Sequence, residues 1–133
     1  RGIGVRLVKG AYHEPPAVAY PNKSDVDDHY FTLSKAMLAV PARARGGRAV
    51  FGTHDIRLIA RIREHAAATD VPQTAYEFHM LYGIHRAEQR RLAEQRKNLR
   101  VLIAYGAYWF PWYMRRLAER PANVWFVVKT AFA

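Results

Sequence analysis

The residues best suited to chemistry in this chain are cations set beside apolar runs. Arg115 and Arg116 are adjacent in "YMRRLAERP", directly after the uncharged aromatic run "YGAYWFPWYM". The planar guanidinium makes bidentate pairs with carboxylates and phosphates, so the two can form an anion socket. Neighbours on a helix diverge by about 100°, so they can equally be a solvated face. Glu119 stands at helical pairing distance from either. Arg6 lies between Val5 and Leu7 in "VRLVKGAY". In a strand buried on both faces it must be paired or enter a wet cavity; at a sheet edge it simply reaches solvent. Lys9 and Gly10 end that run, and Gly10 lets a ligand come close to the backbone. In "FGTHD", Thr53 and His54 stand just ahead of a helix start, where an anion is favoured. Capping by Thr53 and Asp55, with His54 in an exposed loop, accounts for the same residues.

Other chemistries are excluded. The chain has no cysteine, which removes disulfides, thiolate catalysis and Cys-based zinc sites. Its histidines show no zinc-protease spacing, and no nucleophile elbow, P-loop or dinucleotide fingerprint is present. With 21 Lys+Arg against 11 Asp+Glu the net charge is +10, which favours anionic partners. The basic stretch "HRAEQRRLAEQRKNLR" has Glu88 and Glu94 among its charges, as an ordinary solvated helix does. The aromatics gather at Tyr105–Tyr113 rather than along a basic groove, which argues against nucleic acid. The longest uncharged run, Val101–Met114, is shorter than the ~20 residues needed to span a bilayer, so no transmembrane segment is expected. A cytoplasmic location is expected, with a peripheral contact at the inner face of a membrane left open.

The elements that must position these residues alternate. The runs 3–8, 48–53, 75–81 and 100–105 read as strands. Each is followed by a helical pattern. Asp25 or Asp27 caps the first helix, whose apolar positions include Tyr30, Leu33, Met37 and Leu38. Asp55 caps the second, with Ile56, Ile59 and Ile62 on one face. The third, "IHRAEQRRLAEQRK", has a thin seam of Ile84, Ala87 and Leu92. The fourth, "FPWYMRRLAER", has Pro near its first turn and ends at Pro121. The apolar tail "ANVWFVVKTAFA" suits a further strand. Strand–helix repeated four times predicts a parallel α/β sheet, either a small doubly wound sheet or half of a (β/α)8 barrel. Both place functional groups at the C-terminal ends of strands, here Lys9–Ala11, Thr53–His54, Leu81–Gly83 and Tyr105–Gly106.

Taken in order, "VRLVKGAYHEPP", "FGTHD", "EFHMLYG" and "YMRRLAERPANVWFV" resemble the FAD-dependent proline dehydrogenases, most closely the bacterial monofunctional type. The resemblance spans residues 1–133 as one domain and implies four parallel β/α units forming the C-terminal half of a (β/α)8 barrel. It implies oxidation of L-proline to Δ1-pyrroline-5-carboxylate, with hydride passing to FAD and electrons to a quinone. Arg6 would be the catalytic cation beside the flavin. Val8, Lys9, Gly10 and Ala11 would line the cofactor, and Thr53, His54 and Lys23 would hold its adenosine and diphosphate end. Leu81, Trp112, Arg115 and Arg116 would bind proline, and Glu119 would anchor the last helix near the cofactor. The chain departs from the family at His79, where Gln is common, and at Leu102 and Trp112, where Tyr is usual. "IAYGAYW" also stands where relatives tend to have Pro and a polar loop. The first four β/α units, with a lysine and an aspartate of the proline site, are not in this sequence. The expectation is therefore a fragment that is not competent alone, with the N-terminal half of the barrel as its partner; the alternatives are a non-catalytic remnant or a small basic α/β binding domain.

Overall fold

The computed structural model describes residues 3–9, 14–39, 46–95 and 98–111. These fall into two compact units. Residues 3–9, 20–39, 46–95 and 98–102 form the first; residues 14–19 and 103–111 belong to the second.

The first unit runs β1 (Gly4–Val8), α1 (Lys23–Leu38), β2 (Arg48–Gly52), α2 (Ile56–Ala68), a 3-10 turn (Gln73–Ala75), β3 (Tyr76–Leu81), α3 (Arg86–Glu94) and β4 (Leu99–Leu102). The strands form one parallel sheet in sequential order, β1-β2-β3-β4. Parallel neighbours need right-handed crossovers, and an order without reversal puts every crossover helix on the same face. That is the arrangement of a barrel wall; a doubly wound sheet reverses at a switch point and covers both faces.

Strand alternation decides which residues meet the helices. Leu7 is in register with Phe51, Phe51 with Phe78, and Phe78 with Leu99. These pack with Tyr30 and Leu38 of α1, Leu58, Ile59, Ile62 and Ala66 of α2, and Leu92 of α3. Phe51, Phe78, Ile62 and Leu92 are fully buried, each contributing roughly 2–3 kcal/mol of apolar transfer. Phe51, Tyr76 and Phe78 meet as tilted and edge-on rings at centroid distances of 5.7–6.2 Å. The opposite face carries Arg6, Val8, Arg48, Val50, Gly52, Glu77, His79, Leu81, Arg100 and Leu102.

The structure corrects several local expectations. Helix α1 begins at Lys23 with Asn22 flanking it and no side-chain cap. Asp25 and Asp27 both lie inside the helix rather than at its cap: Asp25 accepts the Asn22 amide (2.9 Å), and Asp27 pairs with Lys9 and Lys23. In α2 the buried stripe is Leu58, Ile59, Ile62 and Ala66, and Ile56 is exposed. In α3 the buried pair is Gln89 and Leu92, whereas Ala87 is exposed. Gln89 lies inside because its amide donates to the carbonyls of Leu81 and Ile84, both at 2.8 Å. Strand β4 ends at Leu102 rather than 105: β3 stops at Leu81, Gly83 turns the chain with φ +89°, and no ladder partner remains.

In the second unit, the carbonyl of Pro15 accepts the N–H groups of Val18 and Ala19. Tyr105, Tyr108, Trp109 and Phe110 are exposed, and the last two rings meet edge to face at 5.6 Å. Residues 109–111 are helical. The rest of "FPWYMRRLAER" and the apolar tail lie outside the described residues. Among the described residues no helix is long and apolar enough to cross a membrane.

Candidate functional site

Three elements of the first unit converge where β1 and β2 end. The Lys9 N–H donates to the Gly52 carbonyl (3.1 Å), holding the end of β1 against β2. Its ammonium meets Asp27 Oδ1 and donates to Asp55 Oδ2 at 2.6 Å. Lys23 Nζ donates to Asp27 Oδ2 at 2.5 Å and lies 3.4 Å from Asp55 Oδ2. Asp55 is the cap of α2: its Oδ1 accepts the N–H groups of Arg57 (3.1 Å) and Leu58 (3.3 Å). The Asp55 N–H donates to Thr53 Oγ1 at 3.0 Å. Two lysines and two aspartates thus tie β1, α1 and α2 together.

The charges of this cluster explain its protonation. Burial pushes the Asp55 carboxyl up, but the Lys9 hydrogen bond, the Leu58 N–H and the charges of Lys9 and Lys23 outweigh it and hold it at about 2. Asp27 follows the same pattern: burial raises it, while hydrogen bonds and charges from Lys23 and Lys9 carry it below the ordinary range. The hydrogen bond to Asp27 raises Lys23.

Beside this cluster lies an open cleft of roughly 370 Å3 lined by Lys23, His54, Asp55, Ile56, Arg57 and His85. Burial, with a smaller contribution from the nearby His85, pushes His54 down to about 4, so its ring is neutral at pH 7. His54 Nδ1 is buried and has no hydrogen-bond partner among the described residues. His85 flanks α3 with a left-handed backbone, φ +52°. The cleft therefore joins the N-terminus of α2, two cationic side chains and an unsatisfied ring nitrogen. That donor set suits an anionic ligand carrying a polar planar group.

A second polar cluster lies on the sheet face away from the helices. Glu77 is buried and accepts hydrogen bonds from Arg48 Nη2 (2.5 Å), Arg100 Nε (2.9 Å) and His79 Nε2 (2.9 Å). Burial pushes its carboxyl up, but hydrogen bonds from Arg100 and His79 and the arginine charges hold it below the usual range. An ionised carboxylate only accepts, so His79 Nε2 carries the proton. Arg6 and Val8 are exposed on this face, and Leu81 is half-buried at the end of β3. Among the described residues Arg6 has no ion-pair partner, and its neighbour in register is Val50.

Of the residues singled out in the sequence, Lys9, Lys23, Thr53 and His54 gather at one mouth. Arg6, Val8 and Leu81 share the other sheet face with His79 and Leu102. Gly10, Ala11, Trp112, Arg115, Arg116 and Glu119 lie outside the described residues. The sequence reading took Asp27 only as a possible helix cap and gave no site role to Arg57, His85, Glu77, Arg48 or Arg100. Some had a readable signal: Asp27 is four residues after Lys23 on a helix, and Glu77 and His79 are two apart in a strand, hence on one face. The convergence of Arg48 and Arg100 on Glu77 depends on register, which no local pattern revealed.

Comparison with known proteins places this geometry. The chain is 43% identical over 125 residues to proline dehydrogenase 1 of Bacillus subtilis strain 168, covering 94% of this chain and 40% of the relative. It is 42% identical over 125 residues to the proline dehydrogenase of Deinococcus radiodurans, covering 94% of this chain and 39% of the relative. The chain thus spans about 40% of the length of these curated relatives. Proline utilization A of Bdellovibrio bacteriovorus, solved after inactivation by N-propargylglycine, matches with a TM-score of 0.65 and 27% identity. That match covers 75% of this chain and 11% of the other, and the four parallel strands alternating with helices agree with the expected partial barrel. The proline dehydrogenase family model matches residues 1–129, and the chain belongs to the proline dehydrogenase family.

Proposed function

We propose that the chain supplies the C-terminal β/α units of an FAD-dependent proline dehydrogenase. The reaction removes a hydride from a ring carbon and a proton from the nitrogen of L-proline, leaving the C=N bond of Δ1-pyrroline-5-carboxylate. FAD, when bound, supplies the two-electron acceptor, and a quinone reoxidises it. The observation that carries the reading is the family match over residues 1–129, which contains every motif assigned to the site.

The roles follow from chemistry. Lys23, Thr53, His54 and Arg57 hold the anionic and adenine end of the cofactor at the mouth of α2. Arg6 places a fixed positive charge beside the ring system, favouring an anionic reduced state. Val8, Gly10 and Ala11 pack along the cofactor. Leu81 and Trp112 pack against proline, Arg115 and Arg116 bind its carboxylate, and Glu119 anchors their helix. Both outer strands of the sheet, β1 and β4, have one neighbour among the described strands. A barrel requires them to be paired, so the reading includes a complementary N-terminal half and an inactive isolated chain.

The test is complementation. Co-expressed with the N-terminal half of the Bacillus subtilis relative, the chain should yield a yellow protein that reduces dye when given proline. Purified alone, it should retain no flavin. In the complemented protein, Arg116→Ala should raise the KM for proline roughly tenfold or more and keep FAD bound. Loss of flavin with unchanged proline affinity would remove the carboxylate role from Arg116.

A further inference from the structure

We propose that Asp27 is a positioning residue for the anion-binding cleft: it bridges Lys9 and Lys23 and holds the Lys23 ammonium at the rim. This rests on the reading of that cleft as the site for the anionic end of a nucleotide cofactor, and it adds a residue that no motif contains.

The geometry is that of a bridge. Asp27 uses both carboxylate oxygens, Oδ1 toward Lys9 and Oδ2 toward Lys23. Lys9 is mostly buried, with 16% of its side chain exposed, and it is pinned again by Asp55, the cap of α2. Lys23 is the opposite case: 74% of its side chain is exposed, yet its ammonium is fixed by Asp27 one helical turn on. A free lysine loses rotamer entropy when it is fixed on a ligand. Asp27 spends that entropy during folding. The ammonium has three donors; Asp27 takes one and Asp55 a second at the long distance of 3.4 Å. At least one donor remains for a phosphate oxygen. The aspartates cancel the lysines in charge and Asp55 already caps the start of α2, so attraction for an anion comes from the Arg57 side chain, while Lys23 supplies directed contact.

This makes a prediction whose sign is informative. If Asp27 acted on the cleft only through its charge, removing that charge would tighten anion binding. If it positions Lys23, removal weakens binding. The experiment is an NMR titration of the complemented protein, stripped of flavin, with ADP at millimolar concentrations, following the amide signals of Lys23, His54 and Arg57. Wild type should show saturable shifts. Asp27→Asn should weaken the apparent Kd roughly tenfold with the spectrum otherwise native, and Asp27→Glu should restore part of the loss. In a Lys23→Gln background, Asp27→Asn should have no further weakening effect, which a merely structural role would not produce. Unchanged or tighter binding by Asp27→Asn would overturn the proposal while leaving the cleft reading intact. Absence of any shift in wild type would overturn both, and unfolding of Asp27→Asn together with Asp27→Glu would reassign Asp27 to the fold.

Discussion

The described residues carry two ionic clusters of different build. At the strand mouth two lysines and two aspartates alternate, and their charges cancel. On the sheet face one carboxylate is shared by two arginines and a histidine. The members differ in where water reaches them. The Glu77 side chain is 7% exposed, whereas Arg48 and Arg100 are 53% and 63% exposed. At the mouth, Lys9, Asp27 and Asp55 are 16–20% exposed, and only Lys23 stands open at 74%. A buried charge without partners is costly, whereas an exposed one is hydrated. The fold therefore depends on the cations of the sheet-face cluster and on the inner three members of the mouth cluster. The expendable member of the mouth is the one that faces the cleft.

The largest effect should come from stripping the buried anion of its partners. The double substitution of Arg48→Ala and Arg100→Ala leaves Glu77 with His79 alone and should cost about 2–4 kcal/mol. Glu77→Gln keeps the shape and leaves two exposed arginines to water, costing about 1–2 kcal/mol. Urea midpoints at pH 7 read both. Equal losses, or a larger loss from Glu77→Gln, would break the contrast between the clusters.

How much of this was legible in the sequence follows the range of the interactions involved. The four strands and their helices were readable because apolar periodicity is local: "RAVFG" and "YEFHML" alternate as strands, and "DIRLIARI" has a cap and a stripe. The choice between an open sheet and a barrel wall was not, because it depends on strand order. The end of β4 was overestimated because Ile103 and Tyr105 are good strand residues whose partner strand has already turned away. At the site, Thr53, His54 and Lys9 were readable from their place at strand ends. Asp27 and Glu77 were not singled out, because a carboxylate on a polar helix or in a strand becomes informative only once its cations are known.

The second effect concerns the mouth and is read by pH. His54 is held at about 4 in the folded chain, whereas an unfolded histidine titrates near 6.5. As pH falls through 6.5 toward 4, the unfolded chain takes a proton that the folded chain refuses. Stability should therefore fall over that window, by about 2–3 kcal/mol. His54→Gln should flatten the profile between those values. An equal slope in wild type and variant would show that the buried ring is not the source.

Asp55 sets the next size and a separate window. A depressed carboxyl contributes stability that is whole above its unfolded value, near 4, and is lost as pH falls through about 2. Asp55→Ala removes the α2 cap and one partner of Lys9 and should cost about 1–2 kcal/mol at pH 7. The acid limb below pH 4 should become shallower in the same variant. A wild-type limb that is complete above pH 4 would contradict the pairing with Lys9.

The smallest effect on stability should come from Lys23→Gln. An exposed lysine in an i,i+4 pair contributes about 0.5 kcal/mol or less, so the urea midpoint should hardly move. Yet Lys23 is the member of the mouth cluster at the rim of the cleft. Its loss should weaken ADP binding at least as much as Asp27→Asn does, roughly tenfold or more, while Asp27 and Asp55 keep Lys9 as their partner. A residue that costs little in stability and much in binding separates the two clusters by purpose as well as by build. If Lys23→Gln instead destabilised the chain by as much as Asp55→Ala, all four members of the mouth would belong to the fold. The cleft would then have to draw its anion affinity from the Arg57 side chain alone.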